Sequence, residues 1–359
     1  SYLYFLSLAI ANVAVAISAV GYMTSFVPWL GSGAIPLFVG TVGLLWLTTL
    51  ANFGGPGITG KIGAITVWGV IIPVAGLSII GWFWFKPDVL AAAWNPNNLP
   101  ISEAIGKAIP LTLWAFLGME SAAQASDAVE DPKRTVPLAC LFGTLGAAVV
   151  YVLSTTVIQG IIPNAELANS SAPFALVYAH MFNPTVGNII MALAVMACVG
   201  SLLGWQFTLA QTAKMTADQG MFLKLFSKVS ARNAPIVGML VCGVLQTLLA
   251  LSTLSPNASA QFAKLVSLAA VTNLIPYVTA ATGLLVMMYK ANVSAGVYTR
   301  NTVLLLVAVA YSLYALYACG KDAVFGGTLV LVFGYLLYGF LAKRFVDPSP
   351  AAQTRADNP

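Results

Sequence analysis

Along this chain long apolar runs alternate with short polar connections, and each run is near the roughly 20 residues that carry a helix across a bilayer. Ten spans are predicted, at about 2–24, 35–53, 64–85, 107–125, 136–160, 186–212, 235–253, 264–289, 301–319 and 324–342. The pattern predicts an all-α membrane protein, with residues 1–345 as the transmembrane part and 346–359 as a cytoplasmic tail. The connection at 127–137 is short and charged, and Pro132 and Pro137 would stop one helix and start the next. The connection at 211–232 interleaves Met221, Phe222, Leu225 and Phe226 with lysines, which predicts an amphipathic helix on the inner leaflet, or else a regulatory partner site. The connection at 161–184 reads as a polar outer loop.

Charge orients these spans. Connections after the second, fourth, sixth and eighth spans, with the C-terminal tail, hold twelve of the lysines and arginines, whereas the alternate connections hold only Lys86 and Lys321. Positive residues stay inside, so the first set and both ends of the chain are expected in the cytoplasm.

Composition narrows the class. The 359 residues are 59% apolar and 8% charged, against about 25% charged in a soluble domain. The net charge of +5 then belongs to loops facing an anionic membrane surface, not to a nucleic-acid site. Cys140, Cys198, Cys242 and Cys319 lie in apolar runs without CxxC spacing, as thiols in lipid or core. One histidine, His180, in an exposed loop cannot build a metal site or a catalytic triad alone. There is no phosphate-binding GxxxxGK[ST] loop and no nucleophile–base pair in the membrane, so neither an ATP-driven pump nor an enzyme is expected, and no cofactor or metal. Ser1 opens directly into a span without a signal peptide, which predicts a chain whose beginning is missing.

The candidate chemistry centres on Glu120. It is the one acidic residue of eleven that falls deep in a predicted span, and no lysine or arginine shares its depth. A charge at the bilayer centre costs from about 2.5 to well over 10 kcal/mol, so it persists only beside a wet cavity or a partner. An acid without a protein cation suits a cationic substrate, or a proton when the substrate is absent. The bland alternative is an acid paired structurally with another helix. Trp114 and Gly118 share its span, the glycine able to let the helix open locally. Trp205 lies equally deep in the sixth span, beside Gly200 and Gly204. Membrane tryptophans are usually interfacial anchors. Trp29, Trp82, Trp84 and Trp94 fit that role near span ends, and Trp46, though deeper, could simply face lipid. Trp114 and Trp205 are instead candidates to hold an ammonium against an aromatic face, worth roughly 0.5–2 kcal/mol. Asn12, Ser201, Gln206, Thr208, Thr272, Asn273 and Tyr277 are polar within spans, either as interhelical hydrogen bonds or as the lining of a path.

The segments TLWAFLGMESAAQASDAVEDPKRTVP, SLLGWQFTLAQTAK and AITVWGVIIPV resemble the basic amino acid/polyamine antiporters of the amino acid–polyamine–organocation superfamily. WNPNN and GSLLGWQF bring the chain nearest to the putrescine–ornithine branch, and WAF-x-G-x-ES is shared with the lysine–cadaverine and arginine–agmatine branches. The resemblance runs from Ser1 to about Phe345. It implies twelve helices in two inverted five-helix repeats, the first and sixth broken at the midplane. This chain would hold ten of them, lacking the N-terminal two, with 107–289 as the second repeat. It also implies roles in recognition for Glu120, Trp114 and Trp205, and by position for Tyr4, Asn12 and Tyr338. The chain departs from the branch at Val346, where an acid follows Arg-Phe, and at Tyr335, which replaces a tryptophan.

Residues and resemblance together predict a secondary transporter of a bacterial inner membrane that exchanges putrescine for ornithine. Glu120 would neutralise one ammonium while Trp114 and Trp205 hold the methylene chain. Proton-coupled putrescine uptake, the lysine–cadaverine or arginine–agmatine pair, a neutral amino acid permease and a receptor-like subunit on a transporter fold are the alternatives. The expected partners are small-molecule substrates and membrane lipid, with a homodimer left open.

Overall fold

The computed structural model describes residues 2–118, 131–170, 172–252, 254–255 and 257–346, and throughout these the chain is helical, with no strand. Glu120 lies outside the described residues. In chain order the helices are α1 (Tyr2–Met23), α2 (Ala34–Ala51), α3 (Pro56–Thr66), α4 (Trp68–Ile80), α5 (Pro87–Ala93), α6 (Ile101–Ala115) and α7 (Pro132–Ile161). Then follow α8 (Asn164–Asn169), α9 (Pro173–Met181), α10 (Pro184–Asp218), α11 (Ile236–Ser252), α12 (Ala258–Lys290), α13 (Ala295–Ala318) and α14 (Lys321–Val346). Among the described residues, eight helical stretches are long and apolar enough to cross a membrane. They fall on eight of the predicted spans, α3 and α4 together forming one of them. Of the other two, 235–253 appears as the 17-residue α11, and 107–125 is helical only as far as Ala115 before the described residues end.

The hub is α1, which packs on α2, α10, α11 and α12. Its sequence explains this placement. It is apolar on every side, as a helix surrounded by others must be. Ala9, Ala14, Ala16, Ala19 and Gly21 are small enough to bring neighbouring backbones close. Val13 and Ile17 of α1 join Leu45 of α2, Leu202 of α10 and Leu265 of α12 in the main buried cluster. Small residues also seat α10 against the α3–α4 stretch, where a Cβ on Gly200 would collide with the Thr66 side chain. Outward faces of α7, α13 and α14 carry exposed Leu, Val and Phe, the composition of surfaces that meet lipid.

Two connections differ from expectation. The segment 161–184 is not an open polar loop but contains α8 and α9. The second of these buries Ala175, Val177, Tyr178 and Met181, and Tyr178 Oη donates to the Pro73 carbonyl at 2.9 Å. His180 accordingly lies in the last turn of a helix, half-exposed, 3.0 Å from Glu166. The segment 211–232 does not form one helix along the leaflet. Its first part completes α10, where Lys214 and Asp218 pair one turn apart. A short 3₁₀ turn, Lys224–Ser227, follows. Its aromatic residues find protein instead of lipid, for Phe222 meets the ring of Phe5 edge-on at 5.3 Å and Phe226 is buried.

Candidate functional site

A polar ladder crosses the buried interior beside the site. Gln206 on α10 stands at its centre, 4% exposed. Its Oε1 accepts from Asn12 Nδ2 at 3.2 Å and from Gln246 Nε2 at 2.9 Å. Its Nε2 donates to Gln246 Oε1 at 2.8 Å and Thr49 Oγ1 at 3.3 Å. Four helices are tied by these bonds, and Asn12 commits its donor to them while keeping its acceptor oxygen. Of the two readings open for the polar residues of the sixth span, Gln206 takes the interhelical one. Replacing it with the similarly sized Leu strands the Gln246 amide and the Asn12 donor in the core, while Thr49 keeps its bond to the Leu45 carbonyl. Gln206→Leu should therefore destabilise the folded protein by about 2–4 kcal/mol, read as a lowered melting temperature in detergent; an unchanged one would contradict the ladder.

Asn12 also faces a cavity of about 320 Å³. From α1 come Ser7, Ala11, Asn12 and Val15, which helical spacing places on one face. From α10 come Ser201 and Trp205, one turn apart, from α12 Asn273, and from α7 Tyr151. Trp114, Ala115, Leu117 and Gly118, where α6 ends, close the space. No side chain lining it among the described residues is charged. Ser201 and Trp205 also line a second space of about 450 Å³ between α10 and the α3–α4 stretch, so the Trp205 indole belongs to the wall common to both.

The end of α6 is built with care. Phe116 N–H bonds to the Leu113 carbonyl at 2.9 Å and Leu117 N–H to the Trp114 carbonyl at 3.2 Å, a tightening of the last turn. Tyr151 Oη donates to the Ala115 carbonyl at 3.2 Å, satisfying another acceptor that the helix leaves behind. Gly118 then takes φ +106°, which side chains rarely adopt, and its Cα faces the Trp205 ring so closely that a Cβ would lie 3.1 Å from Cη2. Trp114 is held edge-on to Phe262, with ring centroids 5.4 Å apart.

Of the residues singled out by sequence, Trp114, Gly118, Trp205 and Asn12 are brought to this one cavity. Tyr4 is buried one turn before Ser7 in a cluster with Phe5, Leu8 and Leu209, on which Trp205 also packs. Tyr338 is not brought there. It lines a separate, largely apolar groove with Tyr2, Phe5 and Phe222. Glu120 lies two residues beyond the last described lining residue, Gly118. Trp46 does not face lipid alone, since its Nε1 donates to Thr247 Oγ1 of α11 at 3.1 Å. Sequence reasoning missed Ser7 and Tyr151. For Tyr151 the signal was available, a phenol set deep within an apolar span, as for the two tryptophans.

Comparison with known proteins agrees with this architecture. Residues 1–337 match the amino acid permease family. The chain is 53% identical over 347 residues to the putrescine transporter PotE of Escherichia coli K12, covering 96% of this chain and 78% of that one. It is 52% identical to the putrescine transporter of Haemophilus influenzae over the same share of this chain and 79% of that protein. A cadaverine/lysine antiporter of Escherichia coli K12 is 34% identical over 77% of this chain and 63% of its own length. By this extent of match the chain belongs to the amino acid permease family, within the amino acid–polyamine–organocation superfamily.

Proposed function

We propose that the protein exchanges putrescine for ornithine across a bacterial inner membrane by alternating access. The observation that carries this reading is the meeting of Trp114, Trp205 and Gly118 on one cavity of about 320 Å³ whose described lining is uncharged, immediately before the carboxylate of Glu120 in sequence. A diamine is a short apolar chain with a charge at each end. Two indoles suit its methylene groups and the hydrogens beside its ammonium groups. With no charge among the described lining residues, Glu120 is the counter-charge in this reading. The names of the two relatives that are more than half identical favour putrescine over cadaverine. Ornithine presents the same side-chain ammonium with a zwitterionic head. Trp205, on the wall between two spaces, is suited to close over either substrate.

In this reading 107–289 forms the second of two inverted repeats, the tail at 346–359 is cytoplasmic, and the assembly is the transporter alone or a homodimer. Exchange is obligatory if the empty carrier, with Glu120 unpaired, reorients slowly. The test is counterflow in proteoliposomes with the full-length protein. Putrescine loaded inside should leave rapidly only when ornithine is outside, with lysine and arginine less effective. Equal efflux into buffer without a counter-substrate would contradict exchange, and stimulation by neutral amino acids would favour a neutral permease.

A further inference from the structure

Asn273 stands on α12 near the end of its continuous buried run, just before Pro276. It is 4% exposed, and its side-chain oxygen is shielded from solvent and takes no hydrogen bond among the described residues. Buried polar groups are paired in more than nine cases of ten, because an unpaired one loses its bonds to water and gains nothing. An unpaired amide oxygen on a residue that lines a cavity therefore marks a place where a donor from outside the protein belongs, once the amide turns to present that oxygen to the space. Its polar neighbours on α1 are held by bonds of their own, although Asn12 keeps its acceptor oxygen. Ser7 Oγ donates to the Ala269 carbonyl at 3.2 Å, and the Asn12 amide donates to Gln206.

We infer that Asn273 is a substrate-contacting residue whose side-chain oxygen accepts from one ammonium of the diamine, the other being left to Glu120. The inference rests on the diamine reading above and adds the group that tells two charges from one. The choice of an amide has a physical reason. A second carboxylate in the same cavity would leave two uncompensated charges buried in the empty carrier, whereas an amide oxygen binds an ammonium strongly and costs far less to desolvate when empty. Asn273 would thus set length and charge selectivity, favouring a substrate with a donor at both ends over one with an apolar tail.

The test compares binding of putrescine and of 1-aminobutane, which has the same carbon chain and one ammonium, to purified full-length protein and to the Asn273→Leu and Asn273→Ser variants. The wild-type protein should prefer putrescine. Both variants should lose roughly tenfold or more of putrescine affinity while 1-aminobutane binding changes little, so the ratio of the two collapses. A purely structural role would lower both affinities together, and an unchanged ratio overturns the inference even where both amines bind less well. Asn273→Asp, which restores an acceptor, should recover the preference for putrescine. A wild-type protein that binds neither amine would overturn the diamine reading itself, whereas wild-type selectivity kept intact by the variants overturns only the role of Asn273.

Discussion

Glu120→Gln should abolish putrescine transport, with affinity for the diamine lowered by roughly a hundredfold or more. Glutamine keeps the size of the side chain and an acceptor oxygen, so the change removes charge and little else. An ammonium taken out of water into a cavity whose described lining is neutral then meets no counter-ion, and removing one partner of a buried charge pair typically costs about 3–5 kcal/mol. Ornithine should suffer alongside putrescine, because both present the same ammonium. Binding by calorimetry on the purified variant, with melting temperature as a check on folding, measures the effect. Unchanged putrescine affinity would show that Glu120 is not the counter-charge.

Gly118→Ala should be nearly as damaging to transport, by a mechanical route. The φ of +106° costs an L-residue about 1–3 kcal/mol. The new Cβ would also press on the Trp205 ring at 3.1–3.2 Å, tighter than an ordinary van der Waals contact. Either α6 must end differently or the indole must move off the cavity wall. Loss of transport by tenfold or more is expected in a protein that still folds. Gly204, one residue from Trp205, is the control. A Cβ there meets nothing within 4 Å, so Gly204→Ala should leave transport close to normal. Equal effects from the two alanines would remove the special role given to the turn at Gly118.

The span pattern was legible because twenty apolar residues in a row have few other uses, and eight of the spans appear where hydrophobicity placed them. Trp114, Trp205, Gly118 and Asn12 were legible for a related reason. Each breaks a local rule of lipid-facing sequence, and such breaks cluster at the cavity. The connections were read less well. Polarity alone made 161–184 an outer loop, but α9 hides a face of Ala175, Val177 and Tyr178 that only tertiary packing against α10 and α4 discloses. Phe222 and Phe226 looked like lipid anchors because a sequence does not show that α1 offers Phe5 as a nearer apolar partner. Nor could spacing separate Gln206, which braces four helices, from Asn273, which stands unpaired on the wall. Both are single amides in apolar spans, and only the third dimension tells which has a partner.

The most direct measurement is an experimental structure of the full-length protein with putrescine bound in a lipid environment. The account predicts the diamine lying between the Trp114 and Trp205 rings, one ammonium within hydrogen-bond distance of the Glu120 carboxylate and the other of the Asn273 side-chain oxygen. A Glu120 carboxylate paired with a protein cation, or turned away from this cavity while putrescine binds elsewhere, would contradict it.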